Sequence, residues 1–313
     1  MLVSVIIPTY CAGEINEERL LLSLAGYVNQ NMSVDQYEVI VVDDGSEYDI
    51  KNAMMSCFGY NKCIHFINKE HSGFCSTVNF GIKRALGKYV LIATDDNVPA
   101  PDAISQLVNK LELNKDEDCI GIMGQEKWLS GMSVIKNPFS GKTFCGSDSA
   151  KADEIRSVFP AITIKTIFEQ FEKLSEIATI PSNYLEISQI LSEENNRAKW
   201  LCIRPGTLLV KKEKYLEIGG FDESFDFSGW YSDIEWGYRI SKSNYFIQNC
   251  DSSVFLHFPH KKFYDTNQES RCFEYLVSKH PDPIIALLPF LWGRKFSEFI
   301  SLSEKVIKYL TGS

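Results

Sequence analysis

Residues 89–99 read Tyr89-Val90-Leu91-Ile92-Ala93-Thr94-Asp95-Asp96-Asn97-Val98-Pro99, an apolar run that leads directly into two adjacent carboxylates. A continuous apolar run predicts a strand buried on both faces, as in a parallel sheet covered by helices. We expect Pro99 to stop the strand, so that Asp95 and Asp96 stand outside its carboxyl end, where open α/β sheets bind ligands. Paired carboxylates suit Mg²⁺ or Mn²⁺, and a surface turn is the alternative explanation.

The preceding residues repeat the pattern of a buried strand followed by a helix. Strands are predicted at 3–10, 37–42 and 63–67, each followed by a helix, the third of which has Ser72 as its N-cap. Three such units predict an α/β fold with a Rossmann-like, mostly parallel central sheet, helices on both faces and right-handed crossovers. Polar residues at the strand ends should therefore meet at one edge of the sheet, which favours the metal site: Thr9, Tyr10, Asp43, Asp44, Asp95 and Asp96.

The pattern is less regular towards the C-terminus. The later segments with predicted regular structure are 102–113, 119–125, 164–177, 184–191, 201–218 and 252–258. Asp233 lies early in a predicted helix, where the helix dipole favours an ionised carboxylate that can take a proton from a hydroxyl. The alternative is an ordinary helix-start aspartate. His257 lies on the last strand, and most lone histidines are structural.

The composition limits the classes of function. The chain has 313 residues, 44% of them hydrophobic, and a net charge of -9, which argues against a nucleic-acid partner. Its nine cysteines form no CxxC pair, and the N-terminus lacks the pattern of a signal peptide, so we expect reduced thiols and a cytoplasmic location. No GxGxxG follows a predicted strand, which disfavours a dinucleotide oxidoreductase.

The tail after residue 258 is predicted to be helical. The apolar run that starts at Ile284 is too short, and too broken by Pro289, to span a bilayer. The next helix carries apolar residues at helical spacing from Phe296 to Leu310, with basic residues nearby. This pattern fits a helix lying on a membrane surface as well as core or dimer packing.

Four motifs in chain order make the sequence resemble the family 2 glycosyltransferases, which use nucleotide-sugar donors on a GT-A fold. They are Val5-Ile6-Ile7-Pro8-Thr9-Tyr10, Val41-Val42-Asp43-Asp44-Gly45-Ser46, Thr94-Asp95-Asp96-Asn97, and Gly219-Gly220-Phe221-Asp222-Glu223 with Asp233-Ile234-Glu235 and Arg239. We divide the chain accordingly into a nucleotide-sugar-binding half (1–125), an acceptor-binding and catalytic half (126–258) and a C-terminal helical tail (259–313).

The resemblance implies donor-binding roles for five residues. Asp44 is similar to the aspartate that hydrogen-bonds the uracil of a UDP-sugar, and Pro8, Thr9 and Tyr10 would surround the base and ribose. Asp95 resembles the carboxylate that touches the ribose or the metal.

The resemblance also implies a metal site and a catalytic base. Asp96 resembles the last carboxylate of the metal motif, His257 lies where some members place a further metal ligand, and Asp233 falls at the position of the catalytic base. Two residues depart from the usual pattern: Thr94 replaces the first carboxylate of Asp-x-Asp, and Val78 stands where an arginine is usual. Phosphate contacts should therefore depend more on the metal.

The implied activity is a metal-dependent transfer, with inversion, from a nucleotide-diphosphate sugar. The expected cofactor is Mn²⁺ or Mg²⁺, the expected donor is a UDP-sugar, and the expected acceptor is a hydroxyl of a glycan or of a lipid-linked or protein-linked saccharide. A non-catalytic sugar-nucleotide binder remains an alternative because of Thr94 and Val78. A nucleotidyltransferase is less favoured, since no glycine-rich, lysine-bearing loop follows the first strand. The expected location is the cytoplasm, including the inner face of the membrane.

Overall fold

The computed structural model describes residues 1–12, 14–129, 134–136, 143–145, 158–159, 162–258, 266–291 and 294–311. In these ranges the strands are β1 (Val3–Thr9), β2 (Tyr37–Asp43), β3 (Ile64–Asn68), β4 (Tyr89–Ile92), β5 (Asn97–Pro99), β6 (Cys119–Trp128), β7 (Val134–Lys136), β8 (Thr143–Cys145), β9 (Leu208–Lys211) and β10 (Phe246–His257). The α-helices are α1 (Glu14–Val28), α2 (Ile50–Phe58), α3 (Phe74–Arg84), α4 (Ala103–Leu113), α5 (Ile164–Ile177), α6 (Ser182–Ser192), α7 (Lys212–Glu217), α8 (Ser232–Lys242), α9 (Thr266–Lys279), α10 (Pro283–Ala286) and α11 (Phe296–Thr311). Short 3₁₀ helices span Lys199–Cys202, Glu223–Phe225 and Leu288–Leu291.

One eight-stranded sheet organises the described residues. Its strand order is β3-β2-β1-β4-β9-β6-β10-β5, and β7 pairs with β8 in a separate hairpin-like sheet. The first four strands in this order run parallel to one another, as do β6 and β10, whereas β9 and β5 are antiparallel to their neighbours. The predicted α/β class with a mostly parallel central sheet is confirmed.

The core lies on both faces of this sheet because its central strands are apolar on both sides. All seven residues of β1 are buried, with Val5 facing one core and Ile6 the other. Helices α1, α2, α4 and α5 cover the first core, while α3, α6, α8 and the tail helices cover the second. Burying each large aliphatic side chain contributes about 1.5–3 kcal/mol. Alternate residues of each strand therefore need apolar helix faces on opposite sides of the sheet.

The carboxyl ends of the parallel strands meet at one edge, as predicted. Thr9 pairs in register with Asp43, and Asp43 pairs with Asn68 on the next strand. The amide of Ala93 donates to the carbonyl of Ile6, so the acidic residues that follow β4 emerge at the same edge. Three strands far apart in sequence thus deliver polar residues to one place.

The N-terminus of α3 differs from the prediction. The N-cap is Gly73, with a φ of 108°, and not Ser72. The first-turn amides of Cys75 and Ser76 donate instead to the two carboxylate oxygens of Asp226, at 2.5 and 2.8 Å. A carboxylate from the distant loop after the glycine motif caps this helix, which no local pattern reveals.

Two strand boundaries also differ. Pro99 does not stop a strand but closes β5, which lies at the edge of the sheet where a proline without an amide hydrogen is tolerated. The last strand begins at Phe246 rather than at residue 252, and its pairing with β6 shifts register between Cys250 and Val254. The polar residues around this shift interrupt the apolar pattern, so the sequence did not predict the first half of the strand.

The tail helices pack on the second core. Cys272, Leu276 and Ile285 are fully buried there. One side of α11 buries Phe296 and Phe299, while its last turns leave Leu302, Val306 and Leu310 exposed. Among the described helices, none combines the length and apolarity needed to cross a bilayer.

Candidate active site

Four donors enclose the carboxylate of Asp44, which follows β2. Its Oδ1 accepts hydrogen bonds from the Ser72 amide at 3.0 Å and from Lys69, and its Oδ2 accepts from the Gly73 amide at 2.9 Å and lies 2.9 Å from His71 Nδ1. Burial by itself raises the pKa of Asp44, but the hydrogen bonds from Lys69 and from the two amides outweigh it and lower that pKa below its usual value. Asp44 is therefore an ionised acceptor held in one orientation.

The end of β1 is joined to the acidic segment after β4. Thr9 Oγ1 donates to Asp95 Oδ2 at 2.8 Å. Tyr10 is 39% exposed, and its ring centroid lies 4.5 Å from that of His71, which also contacts Asp44. The structure thus brings to one edge of the sheet all five residues expected around a donor: Pro8, Thr9, Tyr10, Asp44 and Asp95.

Asp96 and His257 form a pair across the sheet edge. His257 Nε2 lies 3.3 Å from Asp96 Oδ2, and the two side chains are only 11% and 13% exposed. The register of β10 against β5 and β6 explains this contact, because His257 stands between Asn97 and Trp128 in one row of the sheet. The ring of Trp128 covers that of His257 at 5.1 Å. The two predicted metal ligands are therefore adjacent.

The donor set of this pair fits Mn²⁺ or Mg²⁺. Within the described residues no group of three or more His, Cys, Asp or Glu side chains is placed to hold a metal. A carboxylate oxygen and an imidazole nitrogen would supply two positions, which leaves the others for diphosphate oxygens and water. This division is the usual one for Mg²⁺ at phosphate-transfer sites.

Asp233 lies in the first turn of α8, as predicted. Its Oδ1 accepts from the Ile234 amide at 2.8 Å, and its Oδ2 lies 3.4 Å from Arg204 Nη1. The carboxylate is 26% exposed, so it is open to a hydroxyl arriving from solvent. Tyr231, with a φ of 65°, turns the chain sharply into the helix. Neither contact of Asp233 involves Asp44, so these two carboxylates do not touch.

The segment from Arg204 to Gly206 connects the helix of Asp233 with the acidic residues. A Cβ atom built on Gly206 would lie 3.2 Å from Thr94 Oγ1, so this segment packs directly against the start of the acidic motif. Tyr184 lies near both sides: burial raises the pKa of its hydroxyl most, the charge of Arg204 lowers it, and the charge of Asp96 raises it. The charges of Arg204 and Asp96 thus both act on the buried hydroxyl of Tyr184.

Glu235, on the same helix as Asp233, is the centre of a buried charge cluster. It accepts hydrogen bonds from Arg239 Nε at 2.8 Å, and it lies 2.7 Å from Lys279 Nζ and 2.9 Å from His280 Nε2. Burial by itself raises the pKa of Glu235, but the contacts with Arg239, Lys279 and His280 lower it overall. Lys279 also lies 2.6 Å from Asp222. These motif residues tie α8 to the tail.

Four ionisable residues that contact the site were not predicted from the sequence: Lys69, His71, Glu126 and Arg204. Three of them lie in connecting segments, where neither helical nor strand periodicity marks a position. Glu126 was missed because the predicted strand ended at residue 125, whereas β6 continues to Trp128 and buries it. The one sequence signal for Glu126 was its position, as a charged residue directly after an apolar run that predicts a strand.

Part of the chain resembles known proteins in sequence. Residues 4–130 match the model of the glycosyl transferase family 2. The chondroitin synthase of Escherichia coli is 25% identical over 262 residues, which cover 81% of this chain but only 34% of that protein, so the chain spans about a third of this curated relative.

Two solved structures share the fold. The structure of Staphylococcus aureus TarS 1–349 in complex with UDP superposes with a TM-score of 0.56 at 14% identity, over 89% of this chain and 65% of that chain. The mannosyltransferase PcManGT from Pyrobaculum calidifontis, in complex with GDP-Man and Mn²⁺, gives a TM-score of 0.51 at 17% identity, over 88% of this chain and 63% of that chain. The expected GT-A fold is therefore confirmed.

Proposed function

From the family 2 glycosyltransferase sequence at residues 4–130, we propose that this protein transfers a sugar, with inversion, from a nucleotide-diphosphate sugar to a hydroxyl of a saccharide acceptor. The observation that carries the proposal is the meeting of acidic side chains from distant strands at one sheet edge, through the Thr9–Asp95 hydrogen bond and the Asp96–His257 pair. Residues 1–125 form the donor half of this proposal, 126–258 the acceptor half and 259–313 the tail, and the central sheet takes strands from the first two.

The donor is a UDP-sugar in this proposal. Asp44 is the acceptor for a base N–H, since it is ionised and fixed in orientation, and Tyr10 offers an exposed ring against which a base can stack. Pro8 and Thr9 line the neighbouring strand end, and the hydroxyl of Thr9 keeps Asp95 directed towards the ribose or the diphosphate. UDP in the TarS complex supports this choice of nucleotide.

Asp96 and His257 are the residues that would hold Mn²⁺ or Mg²⁺. Such an ion supplies Lewis-acid stabilisation of the charge that develops on the leaving diphosphate. The interaction of opposite unit charges at about 4 Å is worth roughly 4 kcal/mol at an effective dielectric near 20. Mn²⁺ in the PcManGT complex supports the metal dependence. Because Thr94 replaces the first acidic residue of the motif, the protein offers one carboxylate fewer to the ion.

Asp233 is the general base. Its carboxylate takes the proton of the acceptor hydroxyl as that oxygen bonds to the anomeric carbon, and the bond to the diphosphate oxygen breaks with its electron pair leaving on the diphosphate. Attack occurs on the face opposite the leaving group, so the anomeric configuration inverts. Arg204 keeps Asp233 in place through the 3.4 Å ion pair.

A cytoplasmic location, including the inner face of the membrane, completes the proposal. Eight of the nine cysteines, Cys145 being the one not counted, are free thiols, which is typical of a reducing compartment. The exposed strip of Leu302, Val306 and Leu310 on α11 is the surface for a membrane contact or for self-association.

The test is the variant Asp233→Asn, with Asp102→Asn as the control. Asp102 also stands at a helix start, before α4, but outside the site. We expect Asp233→Asn to keep UDP binding, measured by the rise in melting temperature, and to lose about 10²- to 10⁴-fold in transfer rate. The control should keep both. Unchanged turnover in Asp233→Asn would remove this residue from the mechanism.

A non-catalytic sugar-nucleotide binder is the second candidate, favoured by Thr94 in the acidic motif and by the buried Val78. A panel of nucleotide sugars with Mn²⁺ separates the two, because a binder is stabilised by the donor but neither transfers nor hydrolyses it. Formation of a nucleotide sugar from UTP and a sugar phosphate would instead indicate the less favoured nucleotidyltransferase.

A further inference from the structure

Glu126 is a buried carboxylate that, within the described residues, accepts hydrogen bonds from neutral donors. Only 4% of the residue is exposed. Oε1 accepts from Trp128 Nε1 at 2.6 Å, and Oε2 accepts from Asn97 Nδ2 at 3.1 Å. The buried hydroxyl of Tyr184 lies nearby: burial raises its pKa most, and the charge of Glu126 raises it further. Removing an ion from water costs several kcal/mol unless an opposite charge compensates. Neither of these two donors brings such a charge.

The position of Glu126 relates it to the Asp96–His257 pair. Its donors Trp128 and Asn97 are the cross-strand neighbours of His257 on either side, so Glu126 fixes both flanks of that histidine. The ring of Trp128 in particular lies against the His257 imidazole.

The charges of Asp96 and Glu126 both affect the buried hydroxyl of Tyr27. Burial raises the pKa of Tyr27 most, and the negative charges of Asp96 and Glu126 raise it further. Both carboxylates therefore lie near the same water-poor region, where two negative charges repel each other strongly.

Further polar atoms without partners surround this region. Within the described residues, Tyr27 Oη, Thr94 Oγ1 and Asn97 Oδ1 are buried and make no hydrogen bond. Such orphaned atoms are rare in folded proteins. Oxygen atoms and carboxylates gathered in one buried place are the surroundings that suit a divalent cation and its water ligands.

We propose that Glu126 is the outer carboxylate of the cation site: it does not ligate the ion, but it orients His257 through Trp128 and adds its charge to that of Asp96. Its two oxygens accept hydrogen bonds from the two residues that flank His257, so the carboxylate is held towards these flanks, and we assign direct ligation to Asp96 and His257, which contact each other. The inference rests on the proposed function, since it presumes the metal-dependent site. It adds a residue on which metal affinity depends.

The test measures Mn²⁺ binding in the presence of UDP, from the loss of the free Mn²⁺ signal in electron paramagnetic resonance. Glu126→Gln removes the charge and keeps the shape, and we expect Mn²⁺ affinity to fall about 10- to 100-fold, the usual effect of losing a partner outside the coordination sphere. Glu38→Gln is the matched control, because Glu38 is also buried in the sheet, at 3% exposure, but accepts from Ser4 and the Leu86 amide at the opposite ends of the strands. Its Mn²⁺ affinity should equal that of the wild type.

Asp96→Asn separates this inference from the proposed function. Retained Mn²⁺ binding in Asp96→Asn would refute the metal site itself and Glu126 with it. Lost binding in Asp96→Asn together with wild-type affinity in folded Glu126→Gln would overturn the role of Glu126 alone. If Glu126→Gln does not fold, Trp128→Phe decides, because it removes the Nε1 donor and keeps an aromatic ring beside His257: weaker Mn²⁺ binding supports the inference and unchanged binding overturns it.

Discussion

Replacing Glu235 by glutamine should destabilise the protein strongly, because this side chain is fully buried and neutralises cations from two parts of the chain. Arg239 donates to both of its oxygens from the same helix, and Lys279 and His280 reach it from the tail at 2.7 and 2.9 Å. Glutamine keeps the shape but removes the negative charge, which leaves two buried or half-buried cations with less compensation. Removing one partner of a buried ion pair costs about 3–5 kcal/mol, and we expect a loss of that size in the free energy of unfolding.

The stability contributed by Glu235 should depend on pH in a defined direction. The pKa of Glu235 is lowered in the folded protein from an ordinary value of 4.5. A carboxylate with a lowered folded pKa contributes stability that is fully present above its unfolded pKa and is lost as the pH falls through the folded value. The difference between wild type and Glu235→Gln should therefore be constant from pH 7 down to about 5 and should shrink only below pH 4.5.

Urea unfolding followed by circular dichroism at several pH values measures both quantities. Glu217→Gln is the control, since it removes an exposed ion pair with Lys214 from the same half of the protein and should leave the urea midpoint unchanged. A change below about 0.5 kcal/mol in Glu235→Gln, or a difference that widens below pH 4.5, would refute the reasoning that the cluster stabilises α8 against the tail.

Two further predictions concern the start of α3 and the loop that leads to it from β3. Asp226→Ala removes the carboxylate that accepts from the Cys75 and Ser76 amides, and it should lower the free energy of unfolding by about 1–2 kcal/mol, as for other helix caps; an unchanged urea midpoint would contradict the capping role. Asp44→Asn removes the charge that holds Lys69 and accepts from Gly73, and calorimetry should show UDP affinity at least about tenfold weaker, since a hydrogen bond to a charged group contributes about 1.5–3 kcal/mol; equal affinity would exclude Asp44 from base recognition.

The elements with a local signal could be predicted from the sequence. β1 was expected at 3–10 and spans Val3–Thr9, and β2 was expected at 37–42 and spans Tyr37–Asp43. These strands are buried on both faces, so their apolar runs are unbroken and end where polar residues begin. The rule that parallel strands end at one edge then predicted that Thr9 and Asp95 would lie near each other, which their hydrogen bond confirms.

The helix cap, the partners of Asp44 and the charge cluster around Glu235 depend on contacts between segments that are distant in sequence. The periodicity of the sequence does not indicate such contacts. The carboxylate of Asp226 caps α3 from a distant loop. The partners of Asp44 lie in the loop after β3, and the position of that loop depends on how β3 pairs in the sheet. Nothing in the pattern around Glu235 indicates that Lys279 lies beside it. Such contacts follow from the packed sheet and helices, so they become visible only once these are assembled.

The place of β9 in the sheet has a consequence for the synthesis of the protein. This strand lies between β4 and β6 and hydrogen-bonds to both, although it is encoded about 80 residues after the second of them. While the ribosome is still translating the middle of the chain, β4 and β6 have no neighbour on that side, and open strand edges of this kind are prone to pair with other nascent chains. The gap between β4 and β6 is filled only when Leu208–Lys211 have left the exit tunnel. A chaperone that shields these edges during translation should therefore matter more for this protein than for one whose strands pair in the order of synthesis.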